Sequence, residues 1–131
     1  MREICYRGLK NVLGTSTWIY GYGAIDNEIL TLDFAKGILR IECDKGTIGQ
    51  YTGQHDRNGK EVYEGDIVHC YGIGNNADEE YNAEVVFSEE KAAFVLDAGG
   101  DLFSFAEMSE LCDIEVIGNI SDNPELQEGV K

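Results

Sequence analysis

Apolar and polar residues alternate along most of this chain with a period close to two, the spacing of strands rather than helices. Trp18-Ile19-Tyr20-Gly21-Tyr22 is aromatic and β-prone, with glycines that mark bends or close backbone approach. Ile29-Leu30-Thr31-Leu32 and Ile38-Leu39-Arg40-Ile41-Glu42-Cys43 predict two further strands, parted by Lys36-Gly37. Asp44-Lys45-Gly46 predicts a turn before Thr47-Ile48. Asn58-Gly59 is the strongest hairpin signal, because a type I′ turn needs positive φ at both central positions, which asparagine tolerates and glycine adopts freely. Beyond it, Glu61-Val62-Tyr63-Glu64 alternates, Gly65 interrupts, and residues 66–71 continue as a strand ahead of a polar loop over 72–80.

The remaining pattern is a meander. Short strands are expected at residues 84–87, 93–96 and 102–103, separated by Ser88-Glu89-Glu90-Lys91 and Gly99-Gly100-Asp101. Ser104-Phe105-Ala106-Glu107 has the spacing of a capping box and predicts a short helix ending near Leu111. Residues 115–120 form the last expected strand, and Gly65 and Gly118 inside strand patterns mark bulges or tight corners. Asn123-Pro124 predicts a helix start, with proline at the first helical position, running to about Glu128. Five or six short strands with one helical turn before the last predict a mainly β fold. The expectation is a small SH3-like barrel over residues 61–120, an N-terminal β-rich segment (1–54) packed on it, and a short helix and tail over 121–131.

At 131 residues the length fits one domain with one core. No apolar run approaches the roughly 18 residues of a membrane span, and the acid at Glu3 with no apolar stretch behind it does not read as a signal peptide. A cytoplasmic protein is the expectation. The charge is lopsided: residues 1–60 hold eight Lys/Arg and seven Asp/Glu, a balance of +1, whereas residues 61–131 hold two and 18, a balance of −16. A half this acidic repels phosphate backbones, which disfavours direct nucleic-acid binding. Its acids are either a solvated face or a docking surface for a basic partner, with Asp78, Glu79, Glu80, Glu84, Glu89 and Glu90 the densest group.

The chemistry-bearing motifs are weak. Gly72-Ile73-Gly74-Asn75-Asn76-Ala77 has the glycine spacing of a dinucleotide fingerprint, but Asp78-Glu79-Glu80 follows where a helix N-terminus would meet the pyrophosphate. Counted from Asp56, glycine is fourth and Ile67 twelfth, whereas an EF-hand needs glycine sixth and glutamate twelfth. His55 and Asp56, with Glu64 and Asp66 across the turn, form the one cluster with acid/base or metal potential. On the exposed end of a ribbon it would lack the desolvation that shifts pKa values, so hydrogen bonds that stabilise the turn are its expected role. His69 and Cys70 are strand neighbours and point to opposite faces, against a joint metal site. Trp18, Tyr20, Tyr22, Tyr51 and Tyr63 lack the interleaved basic residues of a base-stacking surface and are read as core or subunit-interface packing. No catalytic residue, metal or cofactor is assigned.

Several blocks resemble one family. They are Gln50-Tyr51-Thr52-Gly53, Asp56-Arg57-Asn58-Gly59-Lys60-Glu61, Tyr63-Glu64-Gly65-Asp66-Ile67-Val68, and Glu115-Val116-Ile117-Gly118-Asn119-Ile120 followed by Asn123-Pro124-Glu125-Leu126. With Arg2-Glu3-Ile4, Tyr6-Arg7-Gly8 and the Trp18–Tyr22 block they resemble the YopX-like family over most of the chain, in the expected order. Gln54-His55 stand where the family usually has Leu-Lys, Ser121-Asp122 where it has Tyr-Glu, and the stretch from Gly8 to Trp18 also differs. The resemblance implies a single YopX-like domain, 1–131, of phage or prophage origin and largely β. It carries no agreed catalytic residues to transfer.

Three functional readings follow, in order of expectation. The first is a non-enzymatic accessory protein that works by protein–protein contact, as a homo-oligomer. The second is an acidic mimic that occupies a basic, nucleic-acid-binding site on a host protein. The third, well behind, is a small metal-dependent hydrolase centred on His55, Asp56, Glu64 and Asp66.

Cys5, Cys43, Cys70 and Cys112 contain no CxxC pair and sit mainly in apolar or alternating runs, so they are expected to be free thiols rather than disulfides or metal ligands. Titration of the denatured, unreduced protein is expected to find four thiols; finding two would contradict this.

Overall fold

The structure is a computed structural model that describes residues 4–72, 80–105 and 112–127. Most of the acidic loop, including Asp78 and Glu79, and the body of the helix expected to open at Ser104 lie outside the described residues. The chain divides into two compact units, residues 1–53 and 54–131. Both are mainly β.

The first unit opens with a hairpin of β1 (Tyr6–Val12) and β2 (Thr15–Gly21), in register from Tyr6 opposite Gly21 to Val12 opposite Thr15. The sequence pattern assigns no strand to residues 6–12, because Arg7, Gly8, Lys10 and Asn11 break its alternation. Pairing on both sides makes it one: β1 also meets β6 (Gly49–His55) through Tyr6–Gln50 and Arg7–Gly49. At the hairpin tip Leu13 and Gly14 both take positive φ, 52° and 84°, and the Asn11 side chain accepts the Gly14 N–H. These are the signs of a type I′ turn, which the sequence pattern predicts at Asn58-Gly59 instead.

A second sheet in this unit is a meander of β3 (Gly23–Ile25), β4 (Glu28–Asp33) and β5 (Gly37–Glu42). Its approach to the first sheet depends on Gly21. A Cβ there would fall on the Leu30 carbonyl oxygen and the Ile29 side chain, so only glycine lets β2 run against β4. The loop after β5 is clipped to β1 by Asp44 N–H on the Leu9 carbonyl (2.7 Å) and Leu9 N–H on Thr47 Oγ1 (3.0 Å). Leu9, Ile29, Cys43 and Tyr51 are buried.

In the second unit, β7 (Glu61–Tyr63) follows the turn after β6. A five-stranded antiparallel sheet is then built from β8 (Asp66–Gly72), β9 (Tyr81–Ser88), β10 (Ala93–Ala98), β11 (Asp101–Ser104) and β12 (Cys112–Asn119). The order is β11-β10-β9-β8-β12, so the last strand returns to lie beside the first. Alternation puts Val68, Cys70, Ala83, Val85, Leu96 and Ala98 on one face, where they form the buried core with Val62. β12 bulges between Val116 and Gly118. Just beyond it, helix α1 (Pro124–Gln127) begins after Asn123, as the Asn-Pro pair predicts. A Cβ on Gly118 would stand 2.5 Å from Asn123 Oδ1 and 2.7 Å from Leu126 Cδ1, so this glycine is a docking site for the helix.

Two substitutions separate these contributions. Leu96→Ala opens a cavity in the core of the second unit and is expected to cost about 2–5 kcal/mol. Leu13→Asn relieves a left-handed leucine at an exposed tip and is expected to stabilise by up to about 1 kcal/mol. Denaturant midpoints measure both; a neutral Leu96→Ala or a destabilising Leu13→Asn would contradict this account.

Candidate functional site

The chemistry-bearing residues of the second unit gather around the turn at 56–60. Asp56 N–H donates to the Lys60 carbonyl (2.9 Å) and Gly59 N–H to the Asp56 carbonyl (3.0 Å), while Gly59 alone of the tip takes positive φ, 81°. This is a type I turn closed by a glycine bulge rather than a type I′ turn. The Asp56 carboxylate selects it. Its Oδ1 accepts the Asn58 and Lys60 N–H groups (2.8 and 2.9 Å), and its Oδ2 accepts the Val116 N–H (2.9 Å) from the bulge of β12. Asp56 is 8% exposed. Burial pushes its pKa up, but the Val116, Lys60 and Asn58 N–H groups, aided by the Lys60 charge, bring it below the ordinary 3.8.

Asp66 is 1% exposed, and its Oδ2 accepts the Tyr63 N–H (2.8 Å) across the tight turn between β7 and β8. The expectation that the His55, Asp56, Glu64 and Asp66 cluster sits exposed at a ribbon end therefore fails for its two aspartates. They are buried because each satisfies backbone donors that the turns leave over. His55 is exposed and Glu64 half-buried. Among the described residues no three His, Cys, Asp or Glu side chains come together as metal ligands.

The turn presents Arg57 and Asn58 to the outer face of β8 and β12. Arg57 N–H donates to the Ile114 carbonyl (2.9 Å), and its guanidinium lies 4.3 Å over the Tyr71 ring. Glu115 receives both the Tyr71 hydroxyl (2.8 Å, Oε1) and the Asn58 side-chain N–H (2.9 Å, Oε2). The Tyr71 bond, then the Asn58 bond, hold Glu115 below the usual carboxylate range, with Arg57 adding to the effect. The same Glu115 bond pushes the Tyr71 pKa up. His69 stands edge-on to Tyr71 at 4.5 Å, with Nδ1 2.7 Å from Asn82 Oδ1 and Nε2 3.8 Å from Glu80. Arg57 and Asp113 approach to 3.9 Å, an exposed pair worth little in water.

Sequence reasoning missed this face. Its signal was present as polar residues two apart on strands that pair: His69 and Tyr71 on β8, Asp113 and Glu115 on β12. The acids proposed from sequence as a surface are spread along β9 and its ends. Glu80, Glu89 and Glu90 are exposed, and Glu84 is half-buried and accepts a hydrogen bond from Gln127 (2.9 Å). Gln50, Tyr51 and Gly53 lie on β6 and Tyr63 on β7, Gly65 forms the turn before Asp66, and Asn119 caps the segment leading to Pro124 by accepting the Ser121 and Asp122 N–H groups.

The blocks that build this region are those that resemble YopX-like proteins, and the YopX protein family model matches residues 15–128. This chain belongs to the YopX family. No curated protein matches the chain. Among solved structures, this YopX chain is similar to that titled "Crystal structure of protein EF1440 from Enterococcus faecalis", at 25% identity and a TM-score of 0.46, over 92% of this chain and 74% of that one.

The Asp56 bonds set a pH dependence. A carboxyl whose pKa is lower in the folded state stabilises fully above its unfolded pKa and loses that contribution as pH falls through the folded value. Asp56→Ala is expected to cost about 1–3 kcal/mol at neutral pH, from backbone donors left without a partner. The gap between variant and parent should shrink below about pH 4, since the ordinary value is 3.8. Urea melts across pH measure it; a gap that is constant down to pH 2 would contradict the assignment.

Proposed function

We propose that this YopX-family protein is a non-enzymatic accessory module of phage or prophage origin that acts by protein–protein contact and assembles with copies of itself in the bacterial cytoplasm. One observation carries the reading: nine of the twelve large apolar side chains exposed among the described residues belong to the first unit. That unit is also electrically neutral, with six Lys/Arg and six Asp/Glu in residues 1–53. Residues 54–131 hold four and 19, a balance of −15. Of these nine, Tyr22, Leu32 and Ile38 are grouped around one groove, and grouped exposed apolar surface marks an interaction site. In the acidic unit, the polar side chains of the best-formed face bond one another and backbone, which favours a structural role for them over catalysis. No helix among the described residues is long and apolar enough to cross a membrane.

An SH3-like barrel for residues 61–120 belongs to the same proposal. The order β12-β8-β9-β10-β11, with the last strand returning beside the first, and the bend at the β12 bulge support it. A second reading, that the acidic unit mimics a polyanion on a basic host protein, is favoured by the −15 balance, with Glu80, Glu89 and Glu90 exposed.

Light scattering on the purified chain tests the first reading. The expected molar mass is a multiple of 14.5 kDa that persists at high salt, because apolar contact is not screened. A mass of 14.5 kDa at every concentration would contradict self-assembly. Binding to a basic partner that collapses steeply with salt, by a chain that is otherwise monomeric, would favour the second reading.

A further inference from the structure

The sheet β3-β4-β5 carries an open groove of about 250 Å³ lined by Tyr22, Gly23, Leu30, Thr31, Leu32 and Ile38. Its floor is apolar, and Tyr22 and Ile38 are each 73% exposed. At the tip of the same hairpin, between β4 and β5, stands Phe34, fully exposed. The tip is held in shape: Asp33 Oδ1 accepts the Ala35 and Lys36 N–H groups at 2.8 and 2.9 Å, and Gly37 closes the turn with φ 83°. A rigid aromatic knob and an apolar hole of side-chain size thus sit on one hairpin, offset along its length.

We infer that two copies of this chain associate through the β4–β5 hairpin about a two-fold axis, Phe34 of each seated in the other's groove. A two-fold contact is isologous, so the surface must be complementary to itself, and a knob and hole on one element meet that requirement. The surrounding charges do as well. Glu28, Asp33 and Glu42 lie on this hairpin with Lys36 and Arg40, and Arg40 already pairs with Glu28 at 2.6 Å. A strongly acidic or strongly basic partner would match one sign of this set and repel the other; a second copy offers both. Contact through the neutral unit brings no net like charge into the interface itself. Leu32, Phe34 and Ile38 are all exposed, which leaves the hairpin sterically accessible.

The inference rests on the self-assembly reading and is tested separately from it by sedimentation of the full chain over a range of concentrations. Phe34→Ala removes the knob and Ile38→Lys charges the hole; both sites are exposed, and thermal melts check that each variant folds. Each is expected to raise the dissociation constant about a hundredfold or more, from the loss of one buried apolar side chain at each of the dimer's two contacts. Leu102→Lys, on the acidic unit, is expected to leave it unchanged. Arg40→Glu alone and Glu28→Arg with Glu42→Arg alone should each weaken association, and mixing the two should restore it. Association of Phe34→Ala and Ile38→Lys as tight as the parent's would overturn this interface and leave self-assembly through another surface. A groove that takes only a foreign protein would likewise overturn this interface alone, whereas a parent chain that stays monomeric would overturn both the inference and the self-assembly it rests on.

Discussion

The carboxylate of Asp56 ties together two stretches of chain 60 residues apart. Burying a carboxylate costs several kcal/mol unless its oxygens are fully engaged, and here three backbone N–H groups engage them. Two donors come from the turn that starts the second unit and one from the bulge in its last strand. A β-bulge leaves a backbone group unpaired by its ladder, and a charged acceptor placed there meets that need. The turn geometry, the position of the bulge and the return of β12 beside β8 therefore share one cause. An asparagine at this position would offer one acceptor oxygen in place of two.

That anchoring explains why the neighbouring polar face exists and why it reads as architecture. Once the turn is held against β12, Arg57 lies over Tyr71 and Asn58 reaches Glu115. The tyrosine hydroxyl and the asparagine amide spend their donors on one glutamate, and His69 is oriented by Asn82 and Tyr71. Asp66 does for the β7–β8 turn what Asp56 does for the preceding one. Among the described residues of this unit the two buried acids both bind backbone, whereas Glu80, Glu89, Glu90, Asp101, Asp113, Asp122 and Glu125 are exposed.

Much of the strand pattern was legible because alternation and glycine breaks are local properties. The strands from β7 through β10 and the helix start at Asn123-Pro124 follow directly from them. β1 was illegible, since its residues alternate poorly and the strand exists through partners at residues 15–21 and 49–50. Asn58-Gly59 marked a turn correctly but not its type, because the deciding group is an aspartate two residues earlier whose third bond is long-range. For the same reason the acid cluster looked exposed: proximity in sequence revealed the residues, while burial came from β12. Leu13-Gly14 and Phe34 gave no signal, as single apolar residues in turns obey no periodic rule.

Most of the exposed large apolar side chains among the described residues lie in the first, neutral unit, the second is strongly acidic, and one buried carboxylate ties the second unit's opening turn to its last strand. Amide hydrogen exchange followed by NMR tests that central claim most directly. The account predicts that the Lys60 and Val116 amides exchange as slowly as the core amides of β8 and β9, and that Asp56→Asn speeds both together while the β9–β10 ladder keeps its protection. Fast exchange at Val116 in the parent protein, or protection there that survives Asp56→Asn, would contradict it.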